Sequence, residues 1–288
     1  MFQLRFLAGA LLGVTGFAAA PGAALSLPAL AGTVLGAVAW LCVTWHIYLL
    51  NGICDQTEDR HNGSGRPLAS GALPLGAARG VAAGLALVAI GVAALLSWPM
   101  VVTVVAMLAL GWAYSAGPRP QKANMAGFVL VVTAGGLLTY LAGWLAVGAV
   151  TGVGGGEDRP SLLPLAVLAG AMSLWMSLGG MTKDLSDVSG DRAAGRRTLP
   201  VLLGDRRARV LMGSFALAVG AGLAVVAAFG VPVLRPAAGV LLAGGCAVAA
   251  CLAAPASRGR RSRLRLPYRA FMTTQYAVHG AVLGQCLL

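Results

Sequence analysis

Long apolar runs separated by short polar stretches make up almost the whole chain. Reading for runs of roughly 17–25 apolar residues predicts membrane-crossing helices near 6–25, 29–50, 74–97, 99–115, 124–148, 161–180, 209–230, 232–254 and 268–287. Pro99, Pro160 and Pro232 punctuate three of the boundaries, as expected of a residue tolerated in the first turn of a helix but not in its middle. The fourth span is short and its join at Ser97-Trp98-Pro99 is tight, so eight spans is the alternative count. The pattern predicts an all-α integral membrane protein of about nine transmembrane helices, forming one polytopic domain over residues 1–288.

Composition agrees. The chain is 58% hydrophobic and 10% charged, with a mean hydropathy of +0.81, outside the range of soluble globular domains. A net charge of +12 would suggest nucleic acid in a soluble protein, but here its placement follows topology and no nucleic-acid partner is expected. Nine alternating spans put every basic residue except Arg159 and Arg235 on one side, which the positive-inside rule makes cytoplasmic. The chain is therefore expected to be a multi-pass protein of the cell membrane, with the N-terminus and its Arg5 in the cytoplasm. Span 1 is longer than a secretory h-region and is read as a retained helix. Cys42, Cys54, Cys246, Cys251 and Cys286 form no C-x-x-C pair and are read as small hydrophobes. Gly9/Gly13 and Gly80/Gly84 have small-xxx-small spacing, a packing signal. The loop at 151–160 reads as a flexible connector.

The chemistry gathers in two polar segments. In NGICDQTEDRHNGSGRPLASG (51–71), Asn51, Asp55 and Asp59 stand at i, i+4 and i+8 if the second span's helix continues, stacked on one face about 6 Å apart. Like charges one turn apart repel by a few tenths of a kcal/mol even when solvated, so a cation is their natural neutraliser. Oxygen ligands of this kind suit a hard divalent metal that also bridges to phosphate. An offset of 132 residues carries Asp55, Asp59, Arg60 and Gly63 onto Asp187, Asp191, Arg192 and Gly195, and a one-residue slip carries Gly71 onto Gly204. Segments 51–71 and 183–204 therefore read as a degenerate internal repeat, each an acidic helix end followed by a basic, Gly-containing loop.

N-x-x-x-D-x-x-x-D with RPLASG, then KDLSDVSGDRAAGRRTLP (183–200), placed after spans 2 and 6, resembles the UbiA-type membrane prenyltransferase superfamily over essentially the whole chain. The resemblance implies a helical fold around a central cavity, capped by the two acidic loops, with Mg²⁺ held between the motifs and binding a prenyl diphosphate. It assigns Asn51, Asp55, Asp59, Asp187 and Asp191 to catalysis, with the four aspartates and Asp184 as metal ligands. Arg66, Lys122, Lys183 and Arg192 match basic positions near the diphosphate, and Tyr114-Ser115 matches a pair that commonly closes span 4. Two departures stand out: Gly52 where many members have Asp, and AGPRPQK after Tyr114-Ser115.

The implied reaction is Mg²⁺-dependent transfer of a prenyl group from a prenyl diphosphate to an aromatic or other lipid-soluble acceptor, with no protein partner. Ionising an allylic diphosphate builds negative charge on the leaving group, which Mg²⁺ and Arg/Lys stabilise as it forms. The allylic cation then needs a dry pocket with aromatic faces. Trp40, Trp45, Trp112, Tyr114, Tyr140, Trp144 and Trp175 are candidates, against interfacial anchoring as the simpler role for each. His46 is read as a hydrogen-bonding residue before a catalytic base, Glu58 as solvated, and the runs Arg206–Arg209 and Arg258–Arg265 as topology determinants and anionic-lipid anchors. A membrane terpene cyclase would use the same ionising site. A cation-coupled transporter predicts carboxylates in mid-span, whereas these lie outside the spans. If the two segments share one diphosphate, Asp55 and Asp187 should lie within about 15 Å, the reach of Mg²⁺ bridging at 2.0–2.1 Å bonds.

Overall fold

The computed structural model describes residues 2–15, 27–61, 63–151 and 161–287. All of the predicted connector 151–160 except Thr151, and the second half of predicted span 1, lie outside the described residues. The helices run α1 (Phe2–Thr15), α2 (Leu27–Cys54), α3 (Gln56–His61), α4 (Pro67–Ser70), α5 (Leu75–Leu96), α6 (Trp98–Ser115), α7 (Met125–Thr151), α8 (Leu163–Asp184), α9 (Val188–Ala193), α10 (Leu199–Phe229), α11 (Arg235–Ala253), α12 (Arg261–Leu264) and α13 (Leu266–Leu287). Among the described residues, seven helices are long and apolar enough to cross a membrane: α2, α5, α6, α7, α8, α10 and the stretch Pro232–Ala253 that contains α11. α1 is a shorter apolar helix. α13 has the length, but Tyr268, Arg269, Thr273, Thr274, Gln275 and His279 dilute its apolar character. The expected count of nine spans is thus not confirmed.

The chain divides into two compact units, residues 1–122 with 137–161, and residues 123–136 with 162–288. In the first, Phe6, Trp40, Val43, Ala93, Met100, Val104 and Ala146 form a buried core drawn from α1, α2, α5, α6 and α7. Close helix approach needs glycine here: a Cβ on Gly143 would strike the Phe6 backbone, and one on Gly9 the Tyr140 backbone. Gly80 and Gly84 face open space, so their spacing marks no helix contact among the described residues. Arg5, expected on a solvated cytoplasmic end, is fully buried. The tight join before α6 works because Ser97 accepts from the Met100 N–H at 3.2 Å with Pro99 in the first turn, satisfying a helix-end donor where Pro lacks one.

In the second unit, Leu168, Met172, Trp175, Leu178, Met212, Leu241, Val248 and Phe271 are buried, and Trp175 stacks on Phe271 with centroids 5.8 Å apart. α10 begins earlier than the predicted seventh span. Gly204 (φ 77°, ψ 165°) divides it, so a short helical segment precedes the apolar stretch. Across both units large hydrophobic side chains such as Leu87, Leu95, Leu130 and Phe229 are exposed, the inverse of a water-soluble surface and the expectation for helices facing lipid.

Candidate active site

The first acidic segment sits where α2 gives way to α3. The helix is interrupted at Asp55, yet the i→i−4 bonding carries through: Asp55 N–H donates to Asn51 O at 2.9 Å and Asp59 N–H to Asp55 O at 2.8 Å. The predicted stacking of Asn51, Asp55 and Asp59 therefore survives a break in the helix. Asn51 Oδ1 accepts from Ser115 Oγ at 3.1 Å and from Lys122 Nζ at 3.3 Å. Lys122 Nζ also donates to Asp55 Oδ1 in a short contact, and the two side chains are only 9% and 10% exposed. Arg66 Nη1 donates to Asp59 Oδ2 at 2.9 Å, with Arg66 at 45% exposure.

The second segment follows the end of α8 at Asp184. Asp187 N–H donates to Asp184 O at 3.1 Å and Asp191 N–H to Asp187 O at 2.9 Å. Asp187 pairs with Arg261 at 2.7 Å and Arg265 at 3.9 Å, and Ser186 Oγ donates to its Oδ1. Asp191 is almost fully buried. It accepts from Thr198 Oγ1 at 3.2 Å and faces Arg196 at 3.7 Å. Burial pushes the Asp191 carboxyl above the ordinary carboxylate range, aided by the charge of Asp187 and opposed by Arg196 and the Thr198 hydroxyl.

The local backbones of the two segments match at the offset seen in sequence. Gly63 N–H donates to Arg60 O and Ser64 N–H to Asp59 O; Gly195 N–H donates to Arg192 O and Arg196 N–H to Asp191 O. Gly63 and Gly195 both have positive φ, +60° and +69°, as do Gly71 and Gly204 at +79° and +77°. One polar contact also corresponds. Arg66 holds Asp59, and at the equivalent position Thr198 holds Asp191.

Each acidic segment offers oxygen donors to a hard divalent ion. Asn51, Asp55, Asp59, Asp187 and Asp191 present only oxygen, and each aspartate is met by a Lys or Arg, so positive charge already sits where a cation would bind. Among the described residues no three His, Cys, Asp or Glu side chains converge. An ion here would complete its shell with water and phosphate oxygens, the coordination habit of Mg²⁺. The residues fit that ion and do not form an all-protein cage.

Arg192, Lys183 and Tyr114 complete the set expected near the diphosphate. Arg192 is exposed and makes no ion pair among the described residues. Lys183 lies in the last turn of α8, and Tyr114 lies next to Ser115, the residue that reaches Asn51. Sequence reasoning gives Ser115 no role beyond its place beside Tyr114, and it does not single out Arg196, Thr198, Arg261 or Arg265 for the site. Arg261 and Arg265 reach Asp187 across a gap of more than seventy residues that no motif spans. His46 Nδ1 bonds Ala82 O at 2.8 Å, in keeping with a hydrogen-bonding role. Of the aromatic candidates, Trp40, Tyr140 and Trp175 are buried, while Trp45 and Trp112 are exposed.

A groove of about 410 Å³ opens beside the first segment, lined by Trp45, Tyr48, Leu49, Leu68 and Leu85, with Gly52 in its wall and Arg66 at its polar margin. A Cβ on Gly52 would lie 3.3 Å from Leu68 Cδ1. The absent side chain at this position thus leaves room against Leu68.

The UbiA prenyltransferase family model matches residues 7–275. Digeranylgeranylglyceryl phosphate synthase of Halobacterium salinarum is 33% identical over 217 residues, covering 74% of this chain and 71% of that protein. A structure described for a digeranylgeranylglyceryl phosphate synthase in membranes superposes with a TM-score of 0.66 at 16% identity, covering 99% of this chain and 93% of the other. A UbiA homologue from Archaeoglobus fulgidus, solved with GPP and Mg²⁺, superposes with a TM-score of 0.65 at 18% identity, covering 99% and 96%.

Proposed function

The chain belongs to the UbiA prenyltransferase family and is a multi-pass membrane prenyltransferase drawing on a prenyl diphosphate, and we propose that its two acidic helix breaks are the machinery that ionises that donor. Asp55, Asp59, Asp184, Asp187 and Asp191 would hold Mg²⁺, with Asn51 orienting the first set. Arg66, Lys122, Lys183, Arg192 and Tyr114 would contact the diphosphate, joined by Arg196, Arg261 and Arg265. The observation that carries this is the Lys122 ammonium, shared by Asn51 and Asp55 in a nearly water-free setting.

Cleaving the allylic C–O bond moves an electron pair onto the diphosphate, and positioned cations stabilise that charge most at the moment it develops. When bound, Mg²⁺ supplies Lewis-acid stabilisation of the leaving oxygens. Lys122 and Arg66 then exchange a carboxylate oxygen for phosphate oxygens, so neither cation is left unpaired at any stage. The proposal places both acidic segments on the cytoplasmic face, following the basic-residue asymmetry, and reads them as the two copies of one degenerate repeat, supported by their matching turns.

The acceptor is lipid-soluble. The name of the Halobacterium relative favours a prenylated glyceryl phosphate over an aromatic ring. Purified protein incubated with geranyl, farnesyl and geranylgeranyl diphosphates, with a prenylglyceryl phosphate, with an aromatic acceptor or with none, followed by mass analysis, tests the reading. Coupled product only with the glyceryl phosphate supports it. A cyclised hydrocarbon formed without acceptor would establish a terpene cyclase instead.

A further inference from the structure

We propose that the cavity between α10 and α11 binds one anionic glycerophospholipid, with the headgroup phosphate at Arg206 and Arg258 and an acyl segment along the helix groove. The cavity measures about 330 Å³, and its lining includes Arg206, Arg209, Val210, Gly213, Leu252 and Arg258. None of these is a candidate active-site residue.

Its walls follow from helical spacing. Arg206, Arg209, Val210 and Gly213 fall at i, i+3, i+4 and i+7, one stripe of α10, and Ala249, Leu252 and Ala253 form a matching stripe on α11. The stripe on α10 is cationic at one end and apolar beyond it, the polarity sequence of a phospholipid from headgroup to chain. Gly213 has no side chain to fill the groove, and its nearest neighbours, Ala249 and Leu252, stand at ordinary contact distance.

The cationic end is built around a fixed base. Arg209 is buried, and its guanidinium donates to Asp205 Oδ1 at 2.7 Å, Ser257 Oγ at 2.8 Å, Ser257 O at 3.1 Å and Leu252 O at 3.3 Å. It ties α10 to the segment that carries Arg258 and is committed to that task. Arg206 and Arg258 are exposed and form no ion pair among the described residues. Asp205 offsets Arg209, so the charge of Arg206 and Arg258 is left over at the cavity mouth. Basic pockets between membrane helices recognise anionic headgroups. A free anion would meet the same charge but would make no use of the apolar groove.

The test is native mass spectrometry of the detergent-purified full chain titrated with dioleoyl phosphatidylglycerol, dioleoyl phosphatidylcholine or inorganic phosphate. One retained phosphatidylglycerol per chain is expected, at least tenfold preferred over phosphatidylcholine, with preference lost in Arg206→Gln/Arg258→Gln. The charge-matched control Arg207→Gln/Arg263→Gln alters two exposed arginines outside the lining and is expected to retain the lipid. Equal loss in both double variants would mean diffuse attraction by the basic face and overturn the proposal. So would equal retention of the two lipids, or displacement of phosphatidylglycerol by millimolar phosphate, which would mark a free-anion site. All substituted side chains are exposed and make no ion pair among the described residues, so each variant should purify as wild type does.

Discussion

At the scale of single residues, the two acidic segments hold carboxylates of the same proposed role in different surroundings, which separates catalytic from structural cost. Asp55 and Lys122 are nearly desolvated, and removing one member of such a pair leaves a buried unpaired charge at about 3–5 kcal/mol. Asp187 meets Arg261 at 55% exposure, where a pair contributes about 0–1 kcal/mol. Asp55→Ala and Asp187→Ala should each lower turnover by about a hundredfold or more, a few kcal/mol of transition-state stabilisation. Only Asp55→Ala should markedly lower the melting temperature in detergent. Equal stability losses would show that the Lys122 pairing is not the desolvated contact described. Asp55→Asn keeps the shape but removes the charge, and should also lose the slow hydrolysis of prenyl diphosphate without acceptor. Retained hydrolysis with lost transfer would assign Asp55 to the acceptor. Gly52→Ala brings a methyl within 3.3 Å of the flexible end of Leu68. It should leave stability within about 0.5 kcal/mol of wild type, and a raised KM for the longest prenyl chain would identify the groove as its seat.

At the scale of elements, both acidic motifs rest on the same device: a helix end, a short helix and a turn closed by a glycine with positive φ. Gly63 and Gly195 have open space around the position of a Cβ, so steric crowding does not enter and only backbone conformation resists substitution. Left-handed backbone costs an ordinary L-residue roughly 1–2 kcal/mol. Gly63→Ala and Gly195→Ala should therefore destabilise by similar amounts of that order, while Asn, which tolerates this region, should cost less at both. Thermal unfolding in detergent measures this. A large loss at one site and none at the other would mean the two turns, though alike in hydrogen bonding, carry different loads. The kink at Gly204 belongs to the same account, because it sets off a short first segment of α10 whose capping residue, Thr198, donates to Asp191.

At the scale of the whole molecule, two segments far apart in the chain would serve one ionisation step under the proposed function. Residues that act as a unit are strongly non-additive. Asp55→Ala/Asp187→Ala should accordingly be little slower than the worse single variant, and multiplied losses would separate the segments into independent functions. EDTA should abolish turnover and added Mg²⁺ restore it, since among the described residues no three His, Cys, Asp or Glu side chains converge to hold the ion, and Mg²⁺ held by few protein ligands keeps exchangeable waters. Full activity in EDTA rejects the metal-dependent reading. The basic residues contribute at this scale through their asymmetry along the chain. Arg5 is an exception, because it is fully buried.

Hydropathy alone determined that the chain is helical and membrane-spanning, because a bilayer demands long apolar runs whose backbone groups bond within the segment. It also located the two polar segments, and the recurrence of Asp-x-x-x-Asp exposed the repeated acidic ends. Local rules reached as far as local contacts do: the stacking of Asn51, Asp55 and Asp59, and the turns after them. The partners of these carboxylates were a different matter. Lys122 was matched by resemblance, but its contacts to Asn51 and Asp55 depend on how the chain after α6 returns to the end of α2. Arg261 and Arg265 read as lipid anchors in the sequence and meet Asp187 only in the folded chain. Tertiary structure also decided that Gly9 and Gly143 mediate close helix contact while Gly80 and Gly84 do not. The physical reason is common to all of these: a side chain's type is local, but what neutralises or covers it is set by which helix faces pack together, and periodicity along one helix does not record the identity of its neighbour.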